Sequence, residues 1–239
     1  MRTFAYAVAT ALFVVLAVVI PIRGVLRIER IRDEIARDAG ARRRYYRRSN
    51  VLKAALAALA GLLYFANGRR GYGLELLNAQ AVWYIALVVG VLVVSSFVLD
   101  RRLARPAVME KARTALAANP LIPETPAERR SWITFSVIAG IAEELLYRGF
   151  VLLYLHRVFP HATAVLLVVV SATIFGLAHA YQGRRGIIAT AIVGVSLGAV
   201  ALEAGLLAAM LFHALLDLRI LVVLKSIDAR QSHDTDGQA

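Results

Sequence analysis

Of 239 residues, 59% are hydrophobic and the mean hydropathy is +0.65, whereas soluble domains sit near about 45–50% apolar. A soluble globular protein is therefore excluded, and the absence of cysteine excludes disulfides, thiolate metal ligands and a cysteine nucleophile. The net charge of +12 would suggest nucleic acid in a soluble chain. Here the arginines cluster between apolar runs, where the excess of positive charge on cytoplasmic loops accounts for them, so no nucleic-acid partner is expected.

Taken in chain order, the apolar runs predict an all-α, polytopic transmembrane bundle of about seven spans. The first, 4–22, ends without a small-x-small cleavage site and is read as an uncleaved anchor. In 24–40, Ile28, Ile31 and Ile35 share one face among arginines and acids, which predicts an interfacial amphipathic helix on anionic lipid. Further spans are expected at 51–67, 79–99, 131–155, 162–181, 186–203 and 205–224. The last two are separated at Gly205, because 39 residues as one helix would run about 58 Å. The tail beyond 224 is polar and is expected to be disordered and cytoplasmic. Three parts follow: 1–130 with membrane anchors and basic cytoplasmic loops, a helical core over 131–224, and the tail 225–239. With alternating loops assigned by charge, 21 Lys/Arg fall on one side against four on the other. That bias places the N-terminus outside and the C-terminus in the cytoplasm. The alanine, arginine and valine bias points to a bacterial cytoplasmic membrane.

Ionisable residues are segregated to the later spans. Glu143, Glu144 and Arg148 lie in the fourth, His179 ends the fifth, and His213 and Asp217 lie in the seventh, with Arg219 nearer its end. Charges in hydrocarbon cost several kcal/mol each, by contested estimates, and mark functional sites by default. Glu144 and Arg148 are four residues apart and share a helix face, as are His213 and Asp217. Glu143 lies about 100° around from Glu144 and can face a different neighbour. A structural ion-pair network would explain Glu144–Arg148 but leaves Glu143 without a basic partner on its own helix.

Two chemistries fit this inventory, and the sequence leaves both open. Glu143, His179 and His213 could hold a divalent metal, zinc being the ordinary choice, with water in a fourth position. Alternatively Glu143 and His179 activate water without a metal, while His213 and Asp217 stabilise the oxyanion. The sequence "GVSLG" at 194–198 matches the serine-hydrolase elbow but lies within an apolar helix, where Gly194 and Gly198 read as a packing face. His156 and His161 flank a short outer loop and read as interfacial polar residues. Tyr147 and Phe175 read as packing residues, and Trp132 as an interfacial anchor.

Three motifs carry a family resemblance. "EELLYR" (143–148) matches EExxxR, "FGLAH" (175–179) matches FxxxH, and "HALLD" (213–217) fits HxxxN/D. Together and in this order they resemble the CPBP (Abi) family of type II CAAX prenyl proteases and bacteriocin-processing or immunity proteins. The resemblance implies an intramembrane endopeptidase acting on membrane-associated proteins or peptides. It implies Glu143 with His179 as the water-activating pair and His213 with Asp217 on the oxyanion side, supported by Glu144, Arg148 and Phe175. The family is commonly described as metal-dependent, although a glutamate mechanism is argued for it as well. Asp217 stands where the best-studied eukaryotic members carry Asn. An aspartate is the poorer oxyanion donor and the better metal ligand. A proton-coupled transporter, whose relays use the same residue types, and a non-catalytic membrane scaffold are the alternatives. Neither an internal repeat nor paired broken helices of the transporter kind occur in the sequence.

Overall fold

The computed structural model describes residues 2–66, 76 and 79–236, and all regular structure among them is helical. Among the described residues, besides π-helical turns at Val15–Val19 and Leu145–Val151 and a 3-10 turn at Ala180–Gln182, there are ten α-helices. They are α1 (Arg2–Val14), α2 (Ile20–Arg37), α3 (Ala41–Ala66), α4 (Ala81–Leu103), α5 (Pro106–Ala117), α6 (Pro126–Glu144), α7 (Leu152–Val158), α8 (Ala164–Ala178), α9 (Gly183–Glu203) and α10 (Leu206–Asp236). Among the described residues, four stretches are long and apolar enough to cross a bilayer: Ala5–Arg37, Ala81–Leu103, Ala180–Glu203 and Leu206–Arg230. The chain is an all-α integral membrane protein. Further apolar helices surround these four. The fourth expected span is α6 through α7, whose hydropathy is lowered by Glu143, Glu144 and Arg148 in its interior.

Several boundaries differ from the sequence reading, each for a local reason. The first span and the amphipathic segment form one continuous rod. α1 passes through a π-helical turn at Val15–Val19 into α2, one turn ahead of Pro21. A proline inside a helix lacks its N–H and crowds the carbonyl four residues back, and the widened turn absorbs that conflict. α3 starts ten residues before the expected span, after a turn in which the Asp38 carboxylate accepts from the Gly40 N–H at 2.7 Å. The expected end of that span at 67 lies outside the described residues, as do Arg69 and Arg70. α5 occupies part of a basic segment read only as loop. α6 begins at Pro126 behind a capping box: Thr125 accepts from the Glu128 N–H, and the Glu128 carboxylate accepts from the Thr125 N–H. Gly205, at φ +100°, makes the expected break between α9 and α10. α10 then continues to Asp236, so residues 225–236 of the tail expected to be disordered are helical.

α6 is the central element, packed between α3 and α10, while α8 and α9 pair beside it. α6 and α10 cross closely at Gly140, where an added Cβ would meet the backbone N of Ala214 and O of Met210, both at 2.8 Å. That contact needs a residue without a side chain. The core continues through Leu146, Tyr147, Phe150 and Val151 against Leu16, Leu167 and Ala201. Entry to α6 is fixed by Arg42 of α3, which is 5% exposed. Its guanidinium donates to Glu128 at 2.7 Å, Glu124 at 2.8 Å and the Pro120 carbonyl at 2.9 Å. Tyr46 adds a bond to the Leu121 carbonyl at 2.6 Å.

Candidate active site

Helix geometry gives the two adjacent glutamates different neighbours. Glu144, fully buried, faces α9 and α10. Its Oε1 accepts from Arg148 Nη1 at 2.7 Å and meets His213 Nδ1 at 2.7 Å. Arg148, 1% exposed, also donates to the Gly194 carbonyl at 2.8 Å and stacks its guanidinium 4.5 Å from the Phe175 ring centre. Arg148 lies in a π-helical segment, Leu145–Val151, directly after α6. Such widened turns re-aim side chains and recur at functional sites.

Glu143 faces the other way. Its side chain is 11% exposed, and Oε1 pairs with Lys53 Nζ of α3 at 2.7 Å. The Lys53 ammonium also lies 4.2 Å over the Phe135 ring, which shelters it further. Glu143 Oε2 is 3.9 Å from His213 Nε2, and the same nitrogen is 3.9 Å from Asp217 Oδ2. Both gaps exceed a direct hydrogen bond. Asp217 is more open, its side chain 32% exposed. Its carbonyl accepts from Trp132 Nε1 at 3.0 Å.

With a carboxylate oxygen at its Nδ1, His213 carries a proton there and donates to Glu144, so its Nε2 points to Glu143 and Asp217. His179 caps the C-terminus of α8, and its Nδ1 lies 2.9 Å from the Phe175 carbonyl. Since a carbonyl only accepts, Nδ1 is the donor, and Nε2 of the neutral ring is left as an acceptor. Phe175 sits between the two imidazoles, its ring centre 4.9 Å from His179 and 5.7 Å from His213.

The structure thus joins Glu144, Arg148 and His213 by direct bonds, sets Glu143 and Asp217 each 3.9 Å from His213 Nε2, and brings His179 beside them through Phe175. Phe175 packs as expected and separates the histidines as it does so. Tyr147 also packs, edge-on to Phe175 with ring centres 5.0 Å apart. Trp132 is buried by protein: it tethers the Asp217 backbone and packs with Tyr46 and Phe135. Ser196 of the "GVSLG" sequence donates back to the Ile192 carbonyl within α9 at 3.3 Å. Gly194 and Gly198 face Ala172 and Val168 of α8.

Lys53 is the residue that sequence reasoning missed. Its signal was a lysine opening an otherwise uncharged run, with Ser49 and Ala57 at the positions four away and hence no acid of its own to pair with. Among the described residues no group of three His, Asp or Glu side chains converges as a metal site. Glu143 Oε1 is held by the Lys53 ammonium, while Oε2 faces His213 Nε2 at 3.9 Å.

An all-α bundle with its ionised groups gathered in one buried cluster defines a membrane protein with a built polar centre. Residues 127–219 match the family model of the Rce1-like type II CAAX prenyl endopeptidases. This segment holds all three motifs, and the match supports the resemblance to the CPBP family that they carry. The match supports an intramembrane endopeptidase of the CAAX-protease type, working in the bilayer on peptide substrates in general. No curated protein and no solved structure is significantly similar to the chain.

Proposed function

We propose that this protein hydrolyses peptide bonds of membrane-associated proteins or peptides with a water activated by Glu143 and His179, without a metal ion. The observation that carries the proposal is the position of His213 Nε2, 3.9 Å from both Glu143 Oε2 and Asp217 Oδ2. Polar atoms held just beyond direct contact accommodate a shared oxygen between them. In this reading the reacting water lies against Glu143 Oε2 and donates a second bond to His179 Nε2. Glu143 takes its proton as the hydroxide adds to the scissile carbonyl, and later returns that proton to the leaving amine. His213, held through Nδ1 by Glu144, acts as the imidazolium, whose second proton at Nε2 is offered to the developing oxyanion, with Asp217 flanking it. Lys53 occupies Glu143 Oε1 and leaves Oε2 for chemistry. Glu144 and Arg148 position His213 and do not touch the reacting atoms.

The charge bias supports an orientation with the N-terminus outside and the C-terminus in the cytoplasm of a bacterial membrane. The test is cleavage of membrane-anchored peptides by purified protein in detergent, comparing wild type with Glu143→Gln, each with chelator and with added zinc. Wild type is expected to cut equally with and without chelator. Glu143→Gln is expected to lose at least about 100-fold, the lower range for a general base. Chelator-sensitive cleavage restored by zinc would replace the proposal with a metalloprotease. Cleavage undiminished in Glu143→Gln would remove Glu143 from the chemistry.

A further inference from the structure

The second polar feature of the membrane domain lies away from the catalytic cluster. Along α4, Leu87, Gly90, Val91, Val94 and Val98 line one wall of an open groove of about 710 Å³, within the roughly 300–1,000 Å³ of ligand clefts. The leucine and valines among them are 41–63% exposed. None of the apolar stretch of α4 is buried by the rest of the protein. Arg102 of α4 and Arg219 of α10 also line the groove. Counting 1.5 Å per residue, the wall from Leu87 to Arg102 runs about 22 Å, comparable to one leaflet of hydrocarbon plus its polar boundary.

The two arginines are what make this groove informative. Neither makes an ion pair among the described residues, and Arg219 Nε is buried without a hydrogen-bond partner. The nearby carboxylate of Asp100 is engaged by Arg230 at 3.1 Å. Arg219 lies within the expected span 205–224 and Arg102 just past the end of 79–99; a guanidinium in or at the edge of the bilayer favours an anion or strong acceptors, and no acid among the described residues pairs with either. A second copy docked by twofold symmetry would bring the same arginines to the shared face, without an acid to meet them. Gly90 points the same way. It sits mid-helix, where glycine costs stability relative to alanine. A Cβ there would meet nothing within 4 Å, so no packing within the protein requires it.

We propose that the α4–α10 groove binds one anionic glycerophospholipid, with an acyl chain along Leu87–Val98 and its phosphate on Arg102 and Arg219. The site is independent of the proposed hydrolysis. α10 nevertheless carries Asp217 towards the catalytic cluster and Arg219, two residues on, towards the lipid.

The test is native mass spectrometry of the full chain released from detergent after incubation with phosphatidylglycerol or with phosphatidylcholine of the same acyl chains. One phosphatidylglycerol is expected to be retained in preference to phosphatidylcholine. The double variant Arg102→Gln/Arg219→Gln should weaken its retention about thirty-fold, at a contribution typical of two basic side chains at a lipid surface. Gly90→Leu should also weaken retention, by filling the groove, and leave the unfolding temperature at or above that of wild type. This second variant keeps the test valid if the double variant folds poorly. Equal retention of both lipids, or unchanged phosphatidylglycerol binding in Gly90→Leu, would overturn the proposal. A dimer that Gly90→Leu dissociates, with no lipid retained, would assign the groove to a second copy instead.

Discussion

Replacing Glu144 separates its two tasks, because one oxygen performs both. Oε1 accepts from Arg148 and from His213, each at 2.7 Å, while Oε2 is buried with no hydrogen-bond partner. In Glu144→Gln the amide oxygen can keep both bonds. The new NH₂ then occupies the place of Oε2 as an unsatisfied buried donor, at a cost of about 1–3 kcal/mol. Glu144→Ala removes the acceptor altogether. Arg148, 1% exposed, is then left with a backbone carbonyl and an aromatic face. Breaking a buried pair in this way costs about 3–5 kcal/mol. At roughly 2–4 °C per kcal/mol for a chain of this size, the unfolding midpoint should fall on the order of 10 °C. The assay is thermal unfolding in one detergent, completed as a double-mutant cycle with Arg148→Met. Removing both charges should recover part of the loss, because no uncompensated guanidinium remains. Glu144→Gln and Glu144→Ala should both also lose cleavage, since His213 no longer has a charged acceptor to set its proton. An alanine variant as stable as wild type would refute the reasoning. So would a double variant whose loss is the plain sum of the singles.

Three further outcomes follow from other contacts. Gly140→Ala must push α10 away from α6, since its Cβ meets backbone atoms at 2.8 Å. It should cost about 1–3 kcal/mol and depress cleavage, read by unfolding and turnover together. Lys53→Met frees Glu143 Oε1 and should lower kcat by up to about 100-fold with the fold intact, and Lys53→Arg should restore part of it; wild-type turnover in Lys53→Met would remove Lys53 from the site. Glu128 gives a stability effect dependent on pH. Burial alone would raise its carboxyl, but the N–H groups of Thr125 and Glu124 and the Arg42 guanidinium outweigh that and hold it below the ordinary carboxylate range. Its contribution is therefore present above the unfolded value of roughly 4.3 and is lost as pH falls through the lower folded value. Unfolding midpoints measured from neutral pH down through that range should decline in wild type and decline less in Arg42→Met.

The helical, membrane-embedded nature of the chain was legible because uncharged apolar runs of about 20 residues rarely serve anything but a membrane span. The polar cluster was legible in part. Glu144–Arg148 follows from spacing on one helix, and the divergence of Glu143 from Glu144 follows from the helical turn angle. What spacing cannot give is the partner across helices. Glu144 meets His213 69 residues away, and Lys53 reaches Glu143 from 90 residues earlier in the sequence. His213 and Asp217 share a face as expected, yet their side chains stand 3.9 Å apart and do not bond directly. The capping box "TPAE" before α6 was visible in the sequence, and reading it would have started that helix at 126. The π-helical segment through Arg148 was not visible, because a widened turn leaves no local sequence signature.

The family match covers residues 127–219, and none of α1 to α5 lies in it. The contacts of α3 nevertheless tie it to the candidate site. Arg42 and Tyr46 fix the turn that launches α6, and Lys53, two to three helical turns further along α3, grips Glu143 at the far end of α6. One helix thus contacts both the turn where α6 begins and Glu143 near its end. The matched helices supply the motif residues, but the electrostatic state of Glu143 depends on a cation from outside them. A carboxylate left without that partner in a dry bundle would carry the full desolvation penalty of its charge. The N-terminal helices are therefore not interchangeable anchors. Exchanging α3 for another apolar span of equal length should preserve insertion into the membrane and abolish turnover.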